Sequence, residues 1–160
     1  MTKFLLSLHV LAAILAVGPV TVAASMFPPA VRRAAPDEEG SGGTVLTTAS
    51  TTVTVLHRIC RVYARLGIAV PVLGLATALA MGVLGDAWLV ASITLTAAAA
   101  GILIAFVLPG QDELLARLGA GRPVDRAATA RLAMFTGLFN VLWATVTVLM
   151  IVRPGSTTGA

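Results

Sequence analysis

Two histidines, a single cysteine and a set of arginines are the residues whose types could do chemistry in this chain. Imidazole can hold a haem iron or a transition metal, but two axial ligands must lie at similar depth on neighbouring helices. His9 falls in the first third of an apolar run, whereas His57 precedes the second run. Within one chain the pair therefore does not bridge a haem, and two distant imidazoles leave a metal site incomplete. A homodimer or a partner protein would have to supply the missing ligands. His9 stands out because an ionisable side chain inside a membrane span is expensive and usually faces the bundle interior. Two readings of it stay open: a neutral ring hydrogen-bonded to a facing helix, or a ligand or proton-relay group. Cys60 is the only cysteine, so an internal disulfide is impossible and paired-thiol redox chemistry is excluded for the chain acting alone. A lone thiol is ordinarily an inert small hydrophobe.

Arg58, Arg61 and Arg65 are spaced i, i+3 and i+7, which lines them along one face of a helix. Such a face contacts lipid headgroups or another anion. The sequence contains no phosphate-binding glycine motif, zinc motif or Ser-His pair. The long apolar runs also contain no Asp or Glu. That excludes an intramembrane aspartyl protease and argues against a proton-coupled antiporter, which needs a titratable carboxylate near its substrate path. These exclusions predict a protein that is not an enzyme, with no catalytic residue and no resident cofactor.

The elements that carry these residues follow from composition. With 58% hydrophobic and only 11% charged residues, the chain has more apolar surface than a soluble domain can bury. Crossing a bilayer takes about 20 apolar residues in a helix. Four runs approach that length, at residues 4–27, 66–84, 87–108 and 132–152. They predict an all-α integral membrane bundle forming a single transmembrane domain over residues 1–160. The helix of the second span extends back to about residue 50, and long loops occupy about 28–49 and 109–125. A cleaved signal peptide is the competing reading of the first run. Its apolar core is longer than the usual 7 to 15 residues or so, and Arg32 and Arg33 follow closely, so a retained helix is expected.

Lys and Arg set the orientation. Nine of them (Arg32, Arg33, Arg58, Arg61, Arg65, Arg117, Arg122, Arg126 and Arg131) fall on one side of the predicted spans, and only Lys3 and Arg153 on the other. The positive-inside rule puts both long loops in the cytoplasm and both termini outside, an N-out/C-out bundle with His9 in the outer third of its span. The net charge of +4 then reads as topology and contact with anionic lipid, and not as nucleic-acid binding. Arginine outnumbers lysine ten to one, which with abundant Ala, Gly and Val suggests a bacterial source and hence the inner membrane.

Packing signals complete the reading. Gly74, Ala78 and Gly82 repeat every four residues, a small-residue face for close helix approach, and Asn140 is placed to hydrogen-bond a neighbouring helix. Pro71 predicts a kink in the second span. Trp88 fits an interfacial anchor. Asp125 is positioned to cap the last helix. In the second loop, Gln111 to Leu118 predicts a short interfacial helix with Leu114, Leu115 and Leu118 on one side.

The stretch Leu8-His9-Val10-Leu11-Ala12-Ala13-Ile14-Leu15-Ala16-Val17-Gly18, followed by basic loops and three further spans, resembles the integral membrane family known as domain of unknown function 2269. The resemblance covers most of the chain and implies a small bacterial inner-membrane protein of four helices. The same His-to-Gly stretch is similar, more loosely, to the membrane domain of copper-resistance D proteins, although methionine-rich and multi-histidine copper motifs are absent here. The expected role is that of a non-catalytic protein embedded in the lipid bilayer, acting as an accessory or assembly subunit of a membrane complex or as a homo-oligomer. A small transporter or a metal- or haem-binding bundle using His9 is the alternative.

Overall fold

The computed structural model describes residues 2–35 and 43–155, with side chains from Thr48 onward in the second stretch. The described residues are all-α: α1 (Thr2–Ala34), α2 (Gly43–Leu66), α3 (Ala69–Met81), α4 (Ala87–Ile102), a π-helical segment (Leu103–Val107), α5 (Leu108–Gly119) and α6 (Arg126–Val152). Four stretches are long and apolar enough to cross a membrane: Thr2–Ala34, Thr48–Met81, Ala87–Gly119 and Arg126–Val152. At about 1.5 Å per residue, the 33 residues of α1 reach about 50 Å, well beyond a hydrocarbon core of about 30 Å.

Helix therefore occupies much of what the sequence assigns to loops. Residues 28–34 continue α1 despite Pro28 and Pro29, which remove the amide donors that the carbonyls of Ala24 and Ser25 would otherwise meet. Residues 111–118, read from sequence as a separate interfacial helix, belong to one continuous rod running from Ala87 to Gly119. Only residues 120–125 connect it to α6. There Asp125 caps the helix, its Oδ1 accepting from the Ala127 amide at 3.0 Å. The acidic trio Asp37, Glu38 and Glu39 and the following Gly40–Gly42 lie outside the described residues.

Two prolines shape the second and third rods. Pro71 has no amide hydrogen for the carbonyl of Gly67, and the helix breaks there. The Gly67 carbonyl instead accepts from Val70 at 3.1 Å, and Ile68 donates to Arg65 at 3.3 Å, both three-residue bonds that separate α2 from α3. Just before Pro109 the turn widens, and Leu108 donates five residues back to Leu103. One extra residue in a turn rotates everything after it by about 100° relative to a regular helix. That rotation decides which face of α5 meets α2.

α1 is the central element, packed against α2, α3 and α6, while α4 packs along α6. The main core lies where the second half of α1 meets α2, the π segment, α5 and α6, around Phe27, Val53, Cys60, Val107, Leu114 and Phe139. A smaller cluster of Ala78, Trp88 and Leu89 closes the α3–α4 turn. Large apolar side chains such as Phe4, Ile14, Leu15, Leu79, Ile104 and Ile151 stay exposed, the surface a helix presents to lipid. The second span ends earlier than its apolar run suggests. Gly82 terminates α3 at φ 69°, its amide donating back to Ala78 and Leu79.

Candidate functional site

His9 sits on α1 facing α3 and is 8% exposed. Its Nδ1 lies 3.0 Å from the carbonyl oxygen of Val70, which can only accept, so Nδ1 carries the hydrogen and donates. The ring lies directly over Gly74, where a Cβ would come within 2.9 Å of His9 Cε1. Gly74 thus makes room for the imidazole, and the two predicted residues are one interaction. Ala78 is also buried on α3. Gly82 does not belong to this packing face: it ends the helix, and a Cβ there would meet nothing within 4 Å. Its left-handed backbone, and not close helix approach, is what demands glycine.

The densest polar cluster joins α2 to α5, and its partners lie more than fifty residues apart in sequence. Gln111 is fully buried. Its Oε1 lies 3.3 Å from His57 Nδ1, and its Nε2 donates to Cys60 Sγ at 3.4 Å. On the other side of the imidazole, Nε2 lies 3.1 Å from Asp112 Oδ1. Asp112 Oδ2 accepts a short bond from the Arg61 guanidinium. Phe27 of α1 covers the site, its ring centroid 6.5 Å from that of His57. Cys60, Gln111, His57, Asp112 and Arg61 form a continuous chain that runs from a fully buried thiol to an ion pair whose side chains are each 44% exposed.

Three local facts build this chain. His57, Cys60 and Arg61 share a face of α2 through i, i+3 and i+4 spacing. Gln111 and Asp112 are consecutive, so they fan across adjacent sides of α5 and embrace the imidazole from two directions. The π segment sets the phase that turns them toward α2. The arginine face predicted from sequence is divided by this arrangement. Arg61 is paired with Asp112, while Arg58 and Arg65 project outward as exposed side chains. Exposed ion pairs contribute about 0–1 kcal/mol, so the Arg61 pair positions Asp112 more than it stabilises the fold.

Asn140 bonds across helices, its Nδ2 donating to Ser25 Oγ of α1 at 3.0 Å. Its Oδ1, like the hydroxyl of Thr136 one turn earlier, is buried without a hydrogen-bond partner among the described residues. Trp88 is pinned at the opposite end of the bundle. Its Nε1 donates to Asp86 at 2.9 Å, and the guanidinium of Arg153 lies 5.6 Å from the centre of its ring. This triad ties the α3–α4 turn to the end of α6.

Sequence reading singled out His9 and the arginines but missed the role of Gln111, Asp112 and His57 as a unit. The available signal was faint: three polar groups on one face of a helix, and a Gln-Asp pair opening a polar stretch after an apolar run. Chemically, the cluster can hold and pass a hydrogen-bond polarity. Cys60 is buried behind a carboxamide and is not presented to a substrate. No group of three or more His, Cys, Asp or Glu side chains with metal-binding proximity occurs among the described residues. Compared with protein-family models, with curated proteins and with solved structures, the chain matches none.

Proposed function

We propose that this is a non-catalytic multi-pass membrane protein that works through helix packing, as an accessory or assembly subunit of a larger membrane complex or as a homo-oligomer. The observation that carries the reading is the outer surface of the bundle. Gly18, Gly101 and Gly137 sit on three different helices, and a Cβ at any of them would meet nothing within 4 Å. Their neighbours on the surface are large exposed apolar side chains such as Leu15, Val22, Ile104, Leu138 and Val141. Exposed glycine backbone among such residues lets another transmembrane helix approach closely. Two polar side chains of the spans are turned inward and bond within the chain, His9 through Nδ1 to Val70 and Asn140 through Nδ2 to Ser25.

In this reading the protein lies in a bacterial inner membrane with both termini outside the cytoplasm, as the nine-to-two division of basic residues supports. It is a member of the family known as domain of unknown function 2269, a placement supported by the stretch from Leu8 to Gly18. The lipid bilayer is its first partner, with Arg58 and Arg65 reaching the headgroups. Mass spectrometry of the tagged protein purified from native membranes in a mild detergent tests the proposal. A stoichiometric partner or a defined homo-oligomer is expected; a lone monomer would overturn it. Reporter fusions at each terminus test the orientation.

One observation favours the second reading, a small transporter or a metal- or haem-binding bundle. Because Nδ1 of His9 donates to a backbone carbonyl, its Nε2 keeps a lone pair, the arrangement usual in histidines that ligate a metal. His9→Ala should then abolish binding or transport, and unchanged activity would eliminate that role.

A further inference from the structure

The hydrogen-bond chain through His57 has a property that distance alone does not show. With Gln111 oriented as it stands, both imidazole nitrogens face acceptors, Oε1 of Gln111 at 3.3 Å and Oδ1 of Asp112 at 3.1 Å. Both contacts are satisfied only when the ring carries two hydrogens. A neutral ring must leave one nitrogen with a bare lone pair. Placing that lone pair against the Asp112 carboxylate sets two electron-rich atoms in contact, so the neutral ring keeps its hydrogen on Nε2. Nδ1 then becomes an acceptor facing another acceptor. Turning the Gln111 carboxamide by half a turn resolves this, because Nε2 of Gln111 then donates to Nδ1. The same turn brings Oε1 to face Cys60 Sγ, where Nε2 now lies at 3.4 Å, and the thiol hydrogen donates to it.

We propose that proton binding at His57 reverses the Gln111 carboxamide, so that the chain Cys60–Gln111–His57–Asp112 has two opposite polarities selected by pH. In the protonated state His57 donates to both Gln111 and Asp112, and Gln111 donates to the cysteine sulfur. In the neutral state the cysteine donates to Gln111, Gln111 donates to His57, and His57 still donates to Asp112. One proton is exchanged with water. The exposed Asp112 lies next to Nε2, and the His57 side chain is itself 16% exposed, which supplies the route. The charge of the His57–Arg61–Asp112 group changes from +1 to zero, which alters the electrostatics of the α2–α5 crossing while every heavy atom stays close to its place. Among the described residues the imidazole meets Asp112 and Gln111 from α5 and Phe27 from α1, while Arg61 and Cys60 of α2 act on it through Asp112 and Gln111 respectively. This inference does not depend on the assembly role proposed above.

Cys60 is the only cysteine in the chain, so its S–H stretching band is an unambiguous reporter. Infrared spectra of the full-length protein in lipid vesicles, recorded at stepped pH across the whole range in which helical circular dichroism is retained, test the proposal. The band is expected to move to lower wavenumber as pH rises, following a one-proton curve, because the thiol becomes a hydrogen-bond donor. His57→Gln and Gln111→Leu, each checked for helical circular dichroism, should both abolish the movement. A band that stays fixed over this range in the unaltered protein overturns the proposal, as does a movement that survives in either variant. Because the unaltered protein alone can overturn it, a variant that fails to fold does not shield the idea.

Discussion

The imidazole of His9 fills the space that any side chain at position 74 would need. A Cβ on Gly74 would approach Cε1 of the ring to 2.9 Å, and the ring is held there by its bond to the Val70 carbonyl, 3.0 Å away. The histidine and the glycine are thus complementary halves of the α1–α3 contact.

Gly74→Ala is therefore expected to destabilise the bundle by about 1–3 kcal/mol, the usual consequence of overpacking. Much of that effect should vanish in a His9→Ala background, where the methyl group has room. Reversible unfolding of the single and double variants in detergent micelles checks this. Additive losses would show that the two residues do not share one contact.

Ser25 and Asn140 behave asymmetrically on substitution. Ser25→Ala strands the Asn140 amide beside an Oδ1 that already lacks a partner. Asn140→Leu removes the whole polar group, including that unpaired oxygen. Intramembrane hydrogen bonds contribute about 0.6 kcal/mol on average, while an unsatisfied buried group costs about 1–3 kcal/mol. Ser25→Ala should be the more destabilising of the two. The reverse order in an unfolding titration would contradict the observed bonding.

Cys60 is fully buried behind Gln111. A membrane-permeant maleimide is expected to leave the folded protein unlabelled and to react once it is denatured. Gln111→Ala opens the space over the thiol and should raise the labelling rate at least tenfold without loss of helix, as read by mass shift against time.

Gly82 carries φ 69°, a conformation that costs a residue with a Cβ roughly 1–2 kcal/mol. Gly82→Ala should lower stability by about that amount through the backbone alone, since a Cβ there meets nothing within 4 Å. Gly101→Ala, within a helix and equally open, should be neutral or slightly stabilising by helix propensity. Comparing their thermal unfolding separates backbone strain from packing.

The all-α character of the described residues and the four apolar rods were legible in the sequence, because hydropathy and the absence of carboxylates are properties of contiguous residues and need no partner to be read. The capping by Asp125 was legible for the same reason, as was a disturbance of the second span at Pro71, expected as a kink and found as a break between α2 and α3: each acts on a backbone group within four residues. Asn140 could be named as a hydrogen-bonding residue, but Ser25, its partner 115 positions away, could not. Gly82 looked identical to Gly74 in spacing, yet one ends a helix and the other admits an imidazole. Only the backbone angle and the neighbour distinguish them. The junction of His57, Cys60 and Arg61 with Gln111 and Asp112 was decided by tertiary structure alone. It depends on a one-residue widening of the turn at Leu103–Val107, which rephases α5, and on which faces of α2 and α5 then meet. Local periodicity determines where a helix can form, whereas the pairing of side chains is a property of the surfaces that pack.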